Sequence, residues 1–178
     1  MIKKDIVLAG KKIYLRDVKL SDVNKNYIKW MNDKYINQFM ETRFRPHTLS
    51  DIQTFVNQMM ESDNVLFLAI VDIEINYHIG NIKLGPISKY HQRGDISFFI
   101  GEKDYWGKGI ASEAVSLLTD YGLNQLNLIK ICAGSYSNNI GSIKVFEKLG
   151  FIKEGILKKQ FYSDGDMVDE ICFAKFSK

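Results

Sequence analysis

Between Asp95 and Leu126 the apolar residues pass from strand-like to helical spacing, and the change falls on two glycines. Ile96 to Ile100 is strand material, whereas Ile110, Ala114, Leu117, Leu118 and Tyr121 recur on one helical face, with Gly107-Lys-Gly109 between them. A strand fed through so short a turn into a long helix commits the chain to a layered fold, with the helix lying back across a sheet. The first backbone N–H groups of such a helix lack partners, and its dipole adds partial positive charge. Glycines let a large anion approach that backbone, and Lys108 adds a mobile cation. The segment therefore implies a phosphate or pyrophosphate ligand, against the alternative of a tight turn that binds nothing. It is not a P-loop, since no Gly-Lys-Ser/Thr ends it, and Ser112 stands where a dinucleotide fingerprint would need its third glycine.

The segments on either side differ in kind. Upstream, Lys12 to Arg16 alternates as a strand, and Ser21 is expected to cap a helix with Asp22 in its first turn and Val23, Tyr27, Trp30 and Met31 at helical spacing. A short amphipathic piece follows around Tyr35 to Met40. Pro46 and Thr48 to Asp51 open a second helix carrying Ile52, Phe55, Val56, Met59 and Met60. Strands are expected over Val65 to Val71, Tyr77 to Leu84 and Asp95 to Ile100. Downstream, the helix from Gly107 to Leu126 precedes a strand at Ile129 to Ala133 and a short helix from Ile140 to Leu149, stopped by Gly150. Phe151 to Phe161 and Met167 to Phe176 then form a closing strand pair around Asp164-Gly165. Antiparallel strands first, then helix and strand in alternation, imply a mixed sheet with helices on both faces.

Composition narrows the function classes. The 178 residues, 46% hydrophobic and 25% charged with no repeat or linker, suit a single domain over 1–178. A net charge of +3 is too small to imply nucleic acid. The longest apolar run, Val65 to Val71, is too short to span a membrane, and the N-terminal apolar stretch is too short for a signal peptide. Cys132 and Cys172 lie in apolar stretches and are expected as buried core thiols of a cytoplasmic protein. His47, His78 and His91 show no ligand spacing, so no metal is expected. Lys3-Lys4 and Lys158-Lys159 are expected on solvated faces.

A second segment, Asn139-Ile-Gly-Ser142 followed by Glu147-Lys-Leu-Gly-Phe151, comes after the strand that follows the long helix. Together the two segments resemble the GNAT N-acetyltransferase superfamily. Trp106-Gly-Lys-Gly-Ile-Ala111 fits its pyrophosphate loop, and Glu154-Gly155 with Gly165 and Asp169 resembles the ribosomal-protein (RimJ/RimL-like) branch. The resemblance implies an α/β (α+β) fold built on a mixed, mostly antiparallel sheet of six to seven strands, splayed between its central strands. It also implies acetyl-CoA as donor, with contacts from the backbone of Phe99, Ile100 and Gly101, from the loop residues Trp106, Gly107, Lys108, Gly109, Ile110, Ala111 and Ser112, and from Asn139 and Ser142. Trp106 departs from the usual Arg or Gln at the head of the loop. Phe146 stands where many members carry a tyrosine that protonates the leaving thiolate.

The implied reaction is attack of a neutral primary amine on the thioester, which needs a proton acceptor, a polarised carbonyl and a tolerated or protonated thiolate. Ser142 is the candidate donor, a structural hydrogen bond being the competing role. Asp95 is the candidate base, with Glu102 second, and a solvated carboxylate is the competing and favoured reading of each. Asn139 serves as a cofactor contact, a helix N-cap or both. For the acceptor, Trp30-Met-Asn32-Asp33 with Ile36 to Met40 resembles the amino-sugar acetyltransferase of pseudaminic acid biosynthesis, and Arg43 and Arg45 are placed to meet a nucleotide diphosphate. A small-molecule amine, best a nucleotide-linked amino sugar, is the expected acceptor. A polyamine, a protein N-terminus and a non-catalytic acyl-CoA-binding role are the alternatives, and a homodimer is left open. Against the polyamine, Glu41, Asp51 and Glu61 look too scattered to build an acidic pocket.

Overall fold

The computed structural model describes residues 5–178, so Lys3 and Lys4 lie outside it. The strands are β1 (Val7–Ala9), β2 (Ile13–Asp17), β3 (Leu66–Asp72), β4 (Tyr77–Leu84), β5 (Arg93–Ile100), β6 (Lys130–Tyr136), β7 (Ile152–Ser163) and β8 (Asp166–Phe176). The helices are α1 (Lys25–Asn32), α2 (Leu49–Glu61), α3 (Ile110–Asn124) and α4 (Ile140–Lys148). The sheet has eight strands in the order β1-β2-β3-β4-β5-β6-β8-β7, one more than the upper expectation because the short β1 adds an edge. Every neighbouring pair is antiparallel except β5–β6. Among the described residues no helix is long and apolar enough to cross a membrane.

The apolar run of β3 is explained by burial on both faces. Leu66, Leu68 and Ile70 join the core under α3 and α4, with Ile110, Leu118 and Phe146. Ala69 and Val71 join a second core with Tyr27 and Trp30 of α1 and Ile52 and Val56 of α2. Thr48 caps α2 as expected: its side chain accepts from the Asp51 N–H while the Asp51 carboxylate accepts from the Thr48 N–H. Helix α1 starts later than expected. Asn24 is its cap, and Ser21 and Asp22 lie in a short 3-10 turn, because the Asp22 carboxylate is held by the Arg16 guanidinium at 2.7 Å. Burial pushes the Asp22 carboxyl up, but hydrogen bonds from Arg16 and the Lys19 N–H outweigh it and leave it below the usual range. At the Asp164-Gly165 turn both residues take left-handed φ, +52° and +90°, as a two-residue hairpin requires. Cys132 and Cys172 are free but only half-buried, not core thiols, because they alternate with the buried Ile131, Ala133 and Phe173 and so lie on the sheet face away from that core.

The feature that positions the site is the β5–β6 junction. The two strands pair only from Arg93 to Asp95 against Lys130 to Cys132, and beyond this they separate. Each keeps its outer partner: β5 stays on β4 to Ile100, and β6 stays on β8 to Tyr136.

Candidate active site

The separation leaves backbone groups unpaired in mid-sheet. The Gly101 N–H donates to the Ile79 carbonyl and the Gly85 N–H to the Asp95 carbonyl, both at 2.8 Å. Antiparallel alternation then turns Ser97 and Phe99 toward β4 and leaves Phe98 and Ile100 facing the seam. On the far side, the Ser137 N–H bonds the Asp169 carbonyl, so the same alternation turns Gly134 and Tyr136 inward. Of the three backbone contacts expected, Ile100 faces the seam. Phe99 and Gly101 do not, since their N–H groups are committed to β4, whereas Phe98 does. The Ile100 carbonyl is capped by the Trp106 indole N–H at 3.0 Å. A Cβ at Gly101 would stand 2.2 Å from the Trp30 ring, so only glycine lets that indole press on the strand.

A cleft of about 550 Å³ opens along the seam and over the start of α3. Its walls include Phe98, Phe99, Ile100, Trp106, Gly107, Gly109, Ile110, Ala111, Ser112, Asn139 and Ser142, which brings together most of the expected cofactor residues. Lys108 and Gly101 are not among them. Gly107 and Gly109 take left-handed φ, +74° and +83°, and a Cβ added to either would meet no atom within 4 Å. Gly109 is the N-cap of α3 and offers no side chain, so nothing local satisfies the first N–H groups of that helix. An open, donor-lined cradle of this kind fits a pyrophosphate, and the unpaired strand backbone fits an amide-bearing arm such as pantetheine. Asn139 caps α4, its side-chain oxygen accepting the Ser142 N–H at 3.1 Å, while both residues border the cleft.

At Phe39, Phe98, Asn139 and Ser142 the cleft meets a smaller cavity of about 210 Å³. Glu41, Tyr136, Phe161 and Glu170 line this second space, which no local motif announced. Tyr136 stacks on Phe161 at 4.0 Å and donates its hydroxyl proton to the Glu41 carboxylate. Burial and that bond push the Tyr136 phenol up to about 12, so it remains protonated at neutral pH. Glu170 lies over Gly134, where a Cβ would stand 2.1 Å from its Oε1. Burial raises the Glu170 carboxyl above its ordinary value, and the charge of Glu41 raises it further. Phe146 closes the floor at 1% exposure, packed against Phe98, Phe151 and Phe173, and a phenyl ring there has no proton to give.

Of the expected acceptor residues, Trp30, Asn32, Arg43 and Arg45 line neither cavity, whereas Ile36, Gln38, Phe39 and Met40 of the adjoining segment border the larger one. Trp30 is 3% exposed and donates its indole N–H to Glu102 at 3.1 Å. Asn32 buckles α1 to the next loop, donating to the Ile28 and His47 carbonyls and accepting the His47 N–H. The Arg43 guanidinium donates to the Met40 carbonyl, the Tyr136 hydroxyl and the Tyr162 carbonyl, and lies 4.2 Å from the Phe44 ring. Arg45 is exposed on the following loop. Asp95 lies where the seam begins, outside both cavities, with Arg93 at 3.6 Å. Glu102 accepts from Trp30 and from the Tyr77 hydroxyl at 3.2 Å, outside both cavities. Ser142 alone of the proposed catalytic side chains stands between the two spaces.

Residues 12–152 match the family model described as Acetyltransferase (GNAT) domain. The chain is 33% identical over 165 residues to the probable N-acetyltransferase YjcK of Bacillus subtilis (strain 168), across 89% of this chain and 91% of that protein. It is 36% identical over 86 residues to the spermidine N(1)-acetyltransferase of Escherichia coli (strain K12), across 48% of this chain and 46% of that one. Among solved structures it superposes on the ribosomal-protein-S5-alanine acetyltransferase of Vibrio fischeri with a TM-score of 0.81, at 25% identity and 98% coverage of both chains. The glycine turn, the open seam and the capped second motif all fall within the matched span, and this chain belongs to the GNAT acetyltransferase family, whose members are acetyl-CoA-dependent acyltransferases.

Proposed function

We propose that this protein acetylates a primary amine carried on a slender, positively charged small molecule of polyamine type. The observation that carries this reading is the pair of carboxylates, Glu41 and Glu170, in the cavity that meets the cofactor cleft at Ser142. Two acidic side chains attract a cationic amine, and about 210 Å³ suits an aminoalkyl arm better than a nucleotide-linked sugar. The amino-sugar expectation took Arg43 and Arg45 as ligands of its diphosphate, and the Arg43 guanidinium is instead engaged with three protein acceptors. The partial likeness to the spermidine enzyme of Escherichia coli points the same way.

In this reading acetyl-CoA supplies an activated acyl group, and the chain does the rest. Glu170, with its raised carboxyl, takes the proton of the incoming ammonium. The seam-facing N–H groups of Phe98 and Ile100 are the donors available to polarise the thioester carbonyl. Ser142 borders both spaces and is the candidate relay, passing its proton to the leaving sulfur as it takes the one shed by the attacking nitrogen. Thiol release measured side by side with spermidine, an amino-sugar nucleotide and an N-terminal peptide tests the assignment. Turnover of spermidine well above the others is expected. Preference for the sugar nucleotide or the peptide would overturn it.

A further inference from the structure

The glycine loop has no side chain of its own to hold its shape. Gly107 and Gly109 contribute none, and the Lys108 ammonium reaches out to within 5.9 Å of the Tyr105 ring. Its geometry is nevertheless constrained by one peptide unit. In a planar trans peptide the carbonyl of residue 108 and the N–H of residue 109 point in opposite directions. Drawing the Lys108 carbonyl one way therefore aims the Gly109 N–H the other way. Lys12 does the drawing from 96 positions away in the chain: its Nζ donates to the Lys108 carbonyl at 2.9 Å. Gly109 borders the cleft and Lys108 does not, as that orientation requires.

Lys12 is itself held. Glu113, in the first turn of α3, accepts the Lys12 backbone N–H at 2.9 Å and the Lys11 backbone N–H as well. Gly10 makes room for that carboxylate, since a Cβ there would stand 2.1 Å from its Oε1. The turn between β1 and β2 is thus strapped across the N-terminus of α3, with Glu113 as buckle and Lys12 as tongue.

We propose that Lys12 is a positioning residue for the pyrophosphate loop and that Glu113 acts through it. The strap fixes the 108–109 peptide so that its N–H stays presented to the anion before any ligand arrives. This rests on the reading of Gly107–Gly109 as the pyrophosphate site. The role of Glu113 runs against simple charge reasoning, which makes a carboxylate in the first turn of that helix a repulsive neighbour for an anion. Removing it would then tighten binding, whereas the strap requires that removing it weaken binding.

Calorimetric titration of the full chain with CoA and with pantetheine, which lacks the pyrophosphate, separates these outcomes. Lys12→Met and Glu113→Ala are each expected to weaken CoA binding about tenfold, the worth of one charge-assisted hydrogen bond. Both should leave pantetheine binding unchanged, and Lys12→Arg should restore most of the loss. Lys12 is exposed, so its variants are expected to fold, which a thermal melt checks. Unchanged CoA affinity in Lys12→Met, tighter CoA binding in Glu113→Ala, or equal losses for CoA and pantetheine would overturn the proposal. Wild-type protein binding the two ligands equally would overturn the pyrophosphate reading, and the strap with it.

Discussion

The two cavities that meet at Ser142 are built by opposite means. The cofactor cleft draws heavily on backbone: two left-handed glycines, the first turn of α3 and the inward groups of Phe98 and Ile100. The acceptor cavity is made of side chains brought from four distant stretches, Glu41 from the loop before α2, Tyr136 from β6, Phe161 from β7 and Glu170 from β8. Backbone recognition suits a ligand that every relative shares, because it survives change in most side chains. Side-chain recognition suits a ligand that differs between relatives. Variants should therefore separate cleanly into those that touch donor affinity and those that touch acceptor chemistry.

The largest separation should come from Glu170→Gln. Loss of a general base typically costs 10²–10⁴ in rate, so a fall in kcat of about 10³-fold is expected while acetyl-CoA affinity by calorimetry stays put. Wild-type kcat/KM should decline as pH falls through a carboxyl value above the ordinary one, since the base is then protonated. Stability runs the other way. A carboxyl raised in the folded state stabilises that state when protonated, and this contribution is lost as pH rises through the raised value. Thermal melts at several pH values should accordingly show Glu170→Gln gaining on wild type toward higher pH.

On the other side of the comparison, Gly109→Val places a β-branched residue at φ +83° in the anion cradle. CoA binding should weaken by about a hundredfold or more, with far-ultraviolet dichroism unchanged. A well-folded variant with wild-type affinity would remove the loop from the cofactor site. Arg43→Ala should raise the acceptor KM about tenfold by freeing the loop that carries Glu41 from the tip of β7, with KM for acetyl-CoA nearly constant. A parallel rise in both constants would mean that the two cavities are not independent. The smallest effect belongs to Ile100→Val, which trims a side chain but keeps the backbone, and CoA affinity should change by no more than about twofold.

This contrast also explains what the sequence disclosed. The glycine turn, the Thr48–Asp51 capping box, the two-sided apolar run of β3 and the Asp164-Gly165 hairpin are local patterns, and each was legible because its physics is local. Glu170 was not, since a single acid in β8 acquires meaning only when β6 brings Gly134 and Tyr136 beside it. Arg43 looked like a phosphate ligand because the Tyr162 carbonyl that takes its guanidinium lies 119 positions later. Ser21 looked like the cap of α1 because nothing nearby in the chain shows that Arg16 claims Asp22. Phe99 and Gly101 were expected at the seam, and Phe98 was not considered, because strand parity depends on the register with β4, which no alternation within β5 reveals. Even the cavity's acidity was half visible, with Glu41 noted and its partner unseen.

The open seam between β5 and β6 amounts to a pair of edge strands placed in the interior of a sheet. Ordinary edges are blunted by charge, proline or bulges because their free N–H and C=O groups will pair with any extended chain that arrives. Here those groups face a cleft bordered by the first turns of α3 and α4 and closed on one side by Phe146, which suits a thin, extended ligand. A thin molecule with its own amides would complete the ladder much as an added strand does in β-augmentation. The two half-sheets, held to each other across this seam by three residue pairs at Arg93 to Asp95, would then be joined through a small molecule as well. Binding at that seam is a step of sheet assembly, and amide hydrogen exchange at Phe98 and Ile100 should slow as the ladder closes.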